Sequence, residues 1–347
     1  MDDTLKKKDV ITQCGSTVRV QHTIAAESDD EADEELPPAL RFVAPGDVVD
    51  VGDPEMTCLE WYGTQGKKVT VVTGIEHLVK LETLCLRSNF VREVSCIRTM
   101  TNLTSLELYE NRLNSIEGVQ YLVNLTNLDL AYNRLRELDP KILAPLVNLK
   151  KLHVAQNKLS KIQGLESLVN LEILDLGMNR ITKIEGLDSL INLKELWLGK
   201  NKLEHVCGLK NLKKLIRVSI QSNRLRVIDP EGFRGLDSLE ELYLSHQGIE
   251  RFQGLDCLVK LNTLDVSNNR INSFDGFPFE ALGGSMEELW MSYNGIETFE
   301  EIEKLTHLIH LKTIYLDHNP IASDFEYRKR LAIVIPSLVQ IDATPRR

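Results

Sequence analysis

The sequence offers no closely spaced cysteine pair. Its six cysteines, Cys14, Cys58, Cys85, Cys96, Cys207 and Cys257, are scattered without a Cys-x-x-Cys, which reads as reduced thiols in an intracellular protein. Basic residues are in deficit. Lys and Arg total 41 against 51 Asp and Glu, for a net charge of −10, so generic affinity for nucleic acid or an anionic membrane is disfavoured. No apolar stretch is long enough to span a bilayer. The opening Met1-Asp2-Asp3-Thr4-Leu5-Lys6 starts with acids rather than the apolar run of a signal peptide. No glycine-rich loop is present to cradle a phosphate, and no nucleophile and base are paired. His307 and His310 stand three apart, but a zinc site needs three or four ligands and none clusters with them. The expectation is therefore a chain with no catalytic residue, no cofactor and no metal.

What the sequence does have is an asparagine that returns at a near-constant spacing, closing the phrase L-x-x-L-x-L-x-x-N. It reads first as Leu81, Leu84, Leu86 and Asn89. Asn111, Asn133, Asn157, Asn179, Asn201 and Asn223 follow, then Gln247 in place of Asn, then Asn269, Asn294 and Asn319. A period this short and regular means one supersecondary unit repeated side by side. Leu-x-Leu has the period of a strand, with leucines inward and the residue between them outward. The Asn side chain carries both a donor and an acceptor for backbone groups in the turn. Segments such as Ile116-Glu117-Gly118-Val119 and Ile184-Glu185-Gly186-Leu187 return the chain. In so short a repeat that return has no room for a full α-helix and suits a 3₁₀ turn. The fold class is an α/β solenoid with parallel strands on a concave face and thin turns on the convex one. Eleven strands roughly 4.8 Å apart would make a wall on the order of 50 Å long.

Residues 1–57 form an acidic segment, expected to be largely disordered, because seven acids in the run Glu27–Glu35 leave little apolar surface to bury. They read as a solvating tail or as a regulatory one in which Ser28, followed by Asp29, Asp30 and Glu31, suits an acid-directed kinase. Residues 58–319 are the repeats and 320–347 a capping segment. The steps from Asn133 to Asn157 and from Asn223 to Gln247 are slightly longer than their neighbours. They hold Asp139-Pro140 and Asp229-Pro230, each a helix-start signal. The last two steps, Asn269 to Asn294 and Asn294 to Asn319, are longer still and predict a less regular end. Gln247 either reaches the groups an Asn would reach or loosens the repeat. From Asp324 to Ile335 an amphipathic helix is expected to cover the open end of the apolar core.

The residues between the last two leucines should form one outward ladder at the strand centres: Cys85, Glu107, Asp129, His153, Asp175, Trp197, Ser219, Tyr243, Asp265, Trp290 and Tyr315. Trp and Tyr are enriched at binding hot spots, and acids are poor strand formers. Acids punctuated by aromatics suit a protein partner with a basic surface.

These repeats resemble the leucine-rich repeat family in its short subclass, which has roughly 22 residues per repeat. Leu193–Lys202, Ile220–Leu225 and Leu242–His246, together with the ending from Asn319-Pro320 to Thr344, are similar to the leucine-rich-repeat regulatory subunits of protein phosphatase 1, of the regulatory subunit 7 type. The similarity covers roughly residues 58 to 345. It implies a non-enzymatic protein, monomeric on its own, that clasps the catalytic subunit of the phosphatase and controls its activity, maturation or localisation in nucleus and cytoplasm. It implies contacts at Asp129, Asp175, Trp197, Asp265, Glu288, Trp290 and Tyr315. His153 stands where the family has an aromatic apolar residue. The short docking peptide of other phosphatase regulators is absent, since Lys68-Val69-Thr70-Val71 and Arg19-Val20-Gln21-His22 end in the wrong residue. The alternative is a repeat scaffold for a ciliary, cytoskeletal or splicing-associated partner.

Overall fold

The computed structural model describes residues 11–12, 17–18, 53–63, 68–70, 72 and 74–345. The acidic run Glu27–Glu35 and Ser28 lie outside the described residues. The chain divides into two compact units, Met1–Lys158 and Leu159–Arg347.

In the first unit, β1 (Ile11–Thr12) and β2 (Thr17–Val18) pair antiparallel. The repeats begin with β3 (Cys58–Glu60), followed by β4 (Thr83–Cys85), β5 (Ser105–Glu107), β6 (Asn127–Asp129) and β7 (Lys151–His153), paired in sequence order and all parallel. Each strand is three residues long with a fully buried leucine in the middle, from Leu59 to Leu152. The outward ladder residue is therefore the last residue of its strand, not the centre as the sequence suggested. Outward side chains come in pairs flanking the buried leucine, such as Asn127 and Asp129. The same build continues in the second unit, with Val218 and Ile314 replacing leucine in β10 and β14, through β8 (Ile173–Asp175), β9 (Glu195–Trp197), β10 (Arg217–Ser219), β11 (Glu241–Tyr243), β12 (Thr263–Asp265), β13 (Glu288–Trp290) and β14 (Thr313–Tyr315).

Past each strand the backbone turns through a left-handed residue and then the asparagine. Eleven successive non-glycine residues hold this position, from Ser88 (φ 59°) to His318 (φ 59°). Left-handed backbone costs an L-residue about 1–2 kcal/mol, and the asparagine offsets it. The Oδ1 of Asn201 accepts from the Ile181 N–H at 2.9 Å, and its Nδ2 donates to the carbonyls of Leu176 (2.9 Å) and Leu198 (3.1 Å). Asn133 repeats the pattern on Leu113, Leu108 and Leu130. Backbone groups that neither strand nor helix can satisfy are thus paired. Gln247 reaches the same places with its longer arm: Oε1 accepts from Leu225 N–H at 3.0 Å and Nε2 donates to the Ile220 carbonyl at 2.6 Å.

A second asparagine ladder runs through five successive turns, Asn102 to Asn192, where each re-enters the sheet. In the first unit Asn102, Asn124 and Asn148 donate to the carbonyls of Val79, Thr101 and Val123 at 3.0–3.1 Å. The return segments contain 3₁₀ turns at Ser95–Thr99 and Val119–Tyr121. The glycine of the return segment, as in Phe274-Asp275-Gly276-Phe277, is needed twice over. Gly276 has φ 79°, and a Cβ there would lie 2.4 Å from the Phe252 carbonyl oxygen.

Of the two Asp-Pro signals only one starts a helix. Asp139 caps α1 (Pro140–Leu143), its carboxylate accepting from the Lys141 N–H at 2.8 Å. Residues 230–235 form turns instead. There the Asp229 carboxylate is diverted to the Val206 N–H (2.8 Å) and His205 Nδ1 (3.1 Å), so the cap is not made. The two longest steps hold α2 (Phe279–Leu282) and α3 (Phe299–Glu303). Beyond β14, α4 (Tyr327–Val334) buries Tyr327 and Leu331. The chain then adds β15 (Gln340–Ile341) parallel to β14, and β16 (Thr344–Pro345) antiparallel to β15. Arg328 ties the ending down, Nη1 donating to the Ile341 carbonyl at 2.7 Å and Nη2 to that of Thr344 at 3.2 Å.

Candidate functional site: the strand face

Three alternate strands of the second unit carry the same tripeptide, Glu-Leu-aromatic: Glu195–Trp197, Glu241–Tyr243 and Glu288–Trp290. The period of two puts Glu and ring on the same side of the sheet, with leucine buried between them. In each strand the acid holds the ring. Trp197 Nε1 donates to Glu195 Oε2 at 3.3 Å, Trp290 Nε1 to Glu288 Oε2 at 3.2 Å, and the Tyr243 hydroxyl to Glu241 Oε2 at 2.7 Å. The rings also support one another. Tyr243 and Trp290 meet edge to face at 6.2 Å across the intervening β12, and Trp290 meets Tyr315 at 5.8 Å. Gln340 donates to the Tyr315 hydroxyl at 2.6 Å. Half-buried and held on two sides, these aromatics have little rotamer freedom left to lose on binding.

Between β9 and β11 stands Arg217 of β10, which lies outside the outward ladder read from the sequence and, unlike Glu288, has a serine rather than an aromatic two residues on. Its Nε and Nη2 each donate to Glu241 at 2.6 Å, its Nη1 lies 3.4 Å from Glu195, and its guanidinium sits 5.7 Å from the Trp197 ring centre. This bidentate bond holds the Glu241 carboxyl below its usual range and raises the Arg217 pKa. Burial, then the bond to Glu241, push the Tyr243 phenol up to about 12.

The aspartates do something else. Asp175 and Asp265 accept from the N–H groups of Gly177 and Ser267, each at 2.9 Å, and in the first unit Asp129 accepts from Ala131 at 3.0 Å. Each carboxylate thus serves a backbone donor just past its own strand. Two ladder positions expected to face outward are buried: Asp265 is 8% exposed, beneath neighbouring Tyr243 and Trp290, and Ser219 is 1% exposed, its hydroxyl bonded to Gln221. Cys85 in the first unit is likewise 2% exposed, and its burial pushes the thiol up to about 11.

The first unit's strand face has no Glu-Leu-aromatic strand among its described residues. Asp129 and His153 line a shallow polar cleft of about 380 Å³ with Glu107, Asn127, Lys150 and Lys151. Its aromatics lie past the strand ends, where Tyr109 and Tyr132 pack at 4.9 Å and Arg87 stacks 4.6 Å from the Tyr109 ring. Among the described residues no group of three His, Cys, Asp or Glu is placed to hold a metal, and no helix is long and apolar enough to cross a membrane.

Leucine-rich repeat models match residues 123–181 and 191–249, residues 221–344, and, as a two-copy repeat, residues 169–211. The chain is a leucine-rich repeat protein. Solved structures agree on the fold of this repeat protein. A leucine-rich repeat protein from Leptospira interrogans is 25% identical with TM-score 0.59, over 80% of this chain and 82% of that one. An internalin from Listeria monocytogenes is 22% identical with TM-score 0.57, over 86% and 91%. A plant peptide hormone receptor, RGFR1, solved in complex with RGF2, is 20% identical with TM-score 0.63, over 84% of this chain and 48% of that one. No curated protein matches the chain in sequence. Leucine-rich repeat proteins are typically non-catalytic interaction scaffolds, and none of the matching families is a catalytic one.

Proposed function

We propose that this repeat protein holds a protein partner on the strand face of its second unit, with Trp197, Tyr243, Trp290 and Tyr315 as anchors. The observation that carries the reading is the thrice-repeated Glu-Leu-aromatic strand, in which an acid two residues earlier holds each ring in place. Large aromatics kept half-exposed and immobile suit a hot spot. The surrounding carboxylates of Glu195, Glu241 and Glu288, with Asp175 beside them, favour a basic partner surface.

The finer proposal is that the partner is the catalytic subunit of protein phosphatase 1, met in nucleus and cytoplasm, and that binding regulates its activity, maturation or localisation. It rests on the similarity of Leu193–Lys202, Ile220–Leu225 and Leu242–His246 to regulatory subunits of that enzyme. Asp129 and His153 are proposed as contacts of the first unit, and Asp265 as a support for the rings above it. Calorimetry with the phosphatase catalytic subunit tests both levels. Trp290→Ala should lower affinity more than tenfold, about 2 kcal/mol, with the circular dichroism unchanged. Unaltered affinity in both Trp290→Ala and Trp197→Ala rejects the face. Purification from cells that recovers another protein, lost on Trp290→Ala, and no phosphatase keeps the face and rejects the phosphatase.

A further inference from the structure

Away from the strand face, the position after the rung asparagine carries a charge of the opposite sign in a run of successive rungs. In the second unit it is occupied by Arg180, Lys202, Arg224, Gly248 and Arg270, and the row ends there, since Gly295 and Pro320 follow. The register is fixed by the backbone: Lys202 N–H donates to the Ile181 carbonyl, Arg224 to Leu203, Gly248 to Leu225 and Arg270 to Ile249, all at 2.8–2.9 Å. Consecutive rungs therefore present these side chains one above another, and all four basic ones are exposed. Four steps of roughly 4.8 Å make a row on the order of 20 Å long. The five seven-residue segments that start just before the rung residue, at 178, 200, 222, 246 and 268, contain eight Lys or Arg and only two acids, Glu204 and Glu250. In a chain of net charge −10 this is a strong local reversal.

A cavity lies in the same row. Where Gly248 leaves the rung without a side chain and Gln247 replaces Asn, a cleft of about 610 Å³ opens, lined by Arg224, Arg226, His205, Glu204 and Asn223 among others. A Cβ built on Gly248 would meet nothing closer than 3.5 Å, so the missing side chain is not demanded by packing.

We propose that this basic row, with the cleft at Gln247–Gly248, binds an acidic peptide segment of a partner protein. Carboxylates on alternate residues of an extended peptide recur about every 6.6 Å, so four of them span the same roughly 20 Å as the row, and Arg groups give them bidentate bonds. A peptide is favoured over nucleic acid because the row is short, two glutamates interrupt it, and the net negative chain repels a long polyanion. The inference stands apart from the strand-face reading.

The test is fluorescence anisotropy of the full chain with a labelled twelve-residue synthetic peptide of alternating Glu and Ser. A labelled single-stranded DNA oligonucleotide is run alongside. Saturable binding that weakens as salt is raised is expected, with a loss of roughly tenfold in Arg224→Ala/Arg226→Ala and no change in Trp290→Ala. Lys202→Glu provides a second variant should the double one misfold by circular dichroism, and it must weaken binding too. No saturable peptide binding, equal binding by the basic-row variants, loss in Trp290→Ala, or tighter binding of the oligonucleotide than of the peptide would each overturn the proposal.

Discussion

The two units share a scaffold and differ in what they display. Asn133 in the first and Asn201 in the second each accept one N–H and donate to an equivalent pair of carbonyls, Leu108 and Leu130 in one and Leu176 and Leu198 in the other. The three distances are 2.9, 2.9 and 3.0 Å for Asn133 and 2.9, 2.9 and 3.1 Å for Asn201. Their strand faces, however, carry different chemistry. The first offers Ser105 with Glu107, Asn127 with Asp129 and Lys151 with His153, whereas the second offers three acid-tethered aromatics. The leucines are fixed by packing, and the asparagines by backbone groups that lie outside the strand and helix bonding, each carbonyl shared between two successive asparagines. The outward positions are free of both demands, so specificity can be changed there without disturbing the stack.

The largest effect should come from breaking what is common. Asn133→Ala and Asn201→Ala each remove one acceptor and two donors: the N–H of Leu113 or Ile181 is left unpaired, while the carbonyls keep only the asparagine of an adjacent rung. A cost of about 3 kcal/mol is expected for either. Amide exchange at Leu113 and Ile181, the two N–H groups freed, should accelerate by about two decades, since about 1.4 kcal/mol is a factor of ten. A difference between the two sites of more than about 1 kcal/mol, well above the expected spread for equivalent bonds, would mean the ladders are not equivalent.

The equivalence of the ladders was legible in the sequence because it repeats: Asn and Leu recur at fixed offsets, and period 2 fixes which way the leucines face. Less of the strand face was. Trp197, Tyr243, Trp290 and Tyr315 stood out as outward aromatics, and Glu288 with them, but the column before each buried residue also holds Thr83, Asn127, Lys151, Ile173 and Arg217, so the recurrence of Glu195 and Glu241 was masked. Nor could the sequence show that Asp265 and Ser219 are covered by their neighbours, because cover depends on adjacent rungs. Asp229 misled for a similar reason. Its local cap signal matches that of Asp139, but Val206 and His205 on the previous repeat compete for the carboxylate. The left-handed residue before each asparagine is Ser, Glu, Tyr, Gln, Met, Lys, His or Asn, with no common chemistry to announce it.

A smaller effect should separate the two strand faces. Glu241 is held below the usual carboxylate range, first by its bond to Arg217. A depressed folded pKa means the contribution is present above the unfolded value of about 4.3, and is lost as pH falls through the folded value. With both side chains partly exposed, solvent screening limits it to less than about 1 kcal/mol. Thermal melts should therefore show the parent losing more stability between about pH 5 and pH 3 than Arg217→Met does. The Trp197 ring, which Arg217 faces at 5.7 Å, should change its emission in the same variant. Parallel acid profiles for the two proteins would show that Arg217 and Glu241 are not coupled in folding.

The smallest effect is the most local. Gln247 makes two of the bonds its neighbours make, to Leu225 N–H and the Ile220 carbonyl, whereas Asn269 also bonds within its own rung, to the carbonyls of Val266 (2.9 Å) and Ser267 (3.3 Å). If the backbone around Gln247 is that of an ordinary rung, Gln247→Asn regains the bonds within the rung and stabilises by less than about 1 kcal/mol, visible as slower exchange at Leu225. If the variant instead exchanges faster there, the backbone has moved to suit the longer side chain. The break in the ladder would then be built into the fold at the point where the cleft opens, and Asn could not repair it.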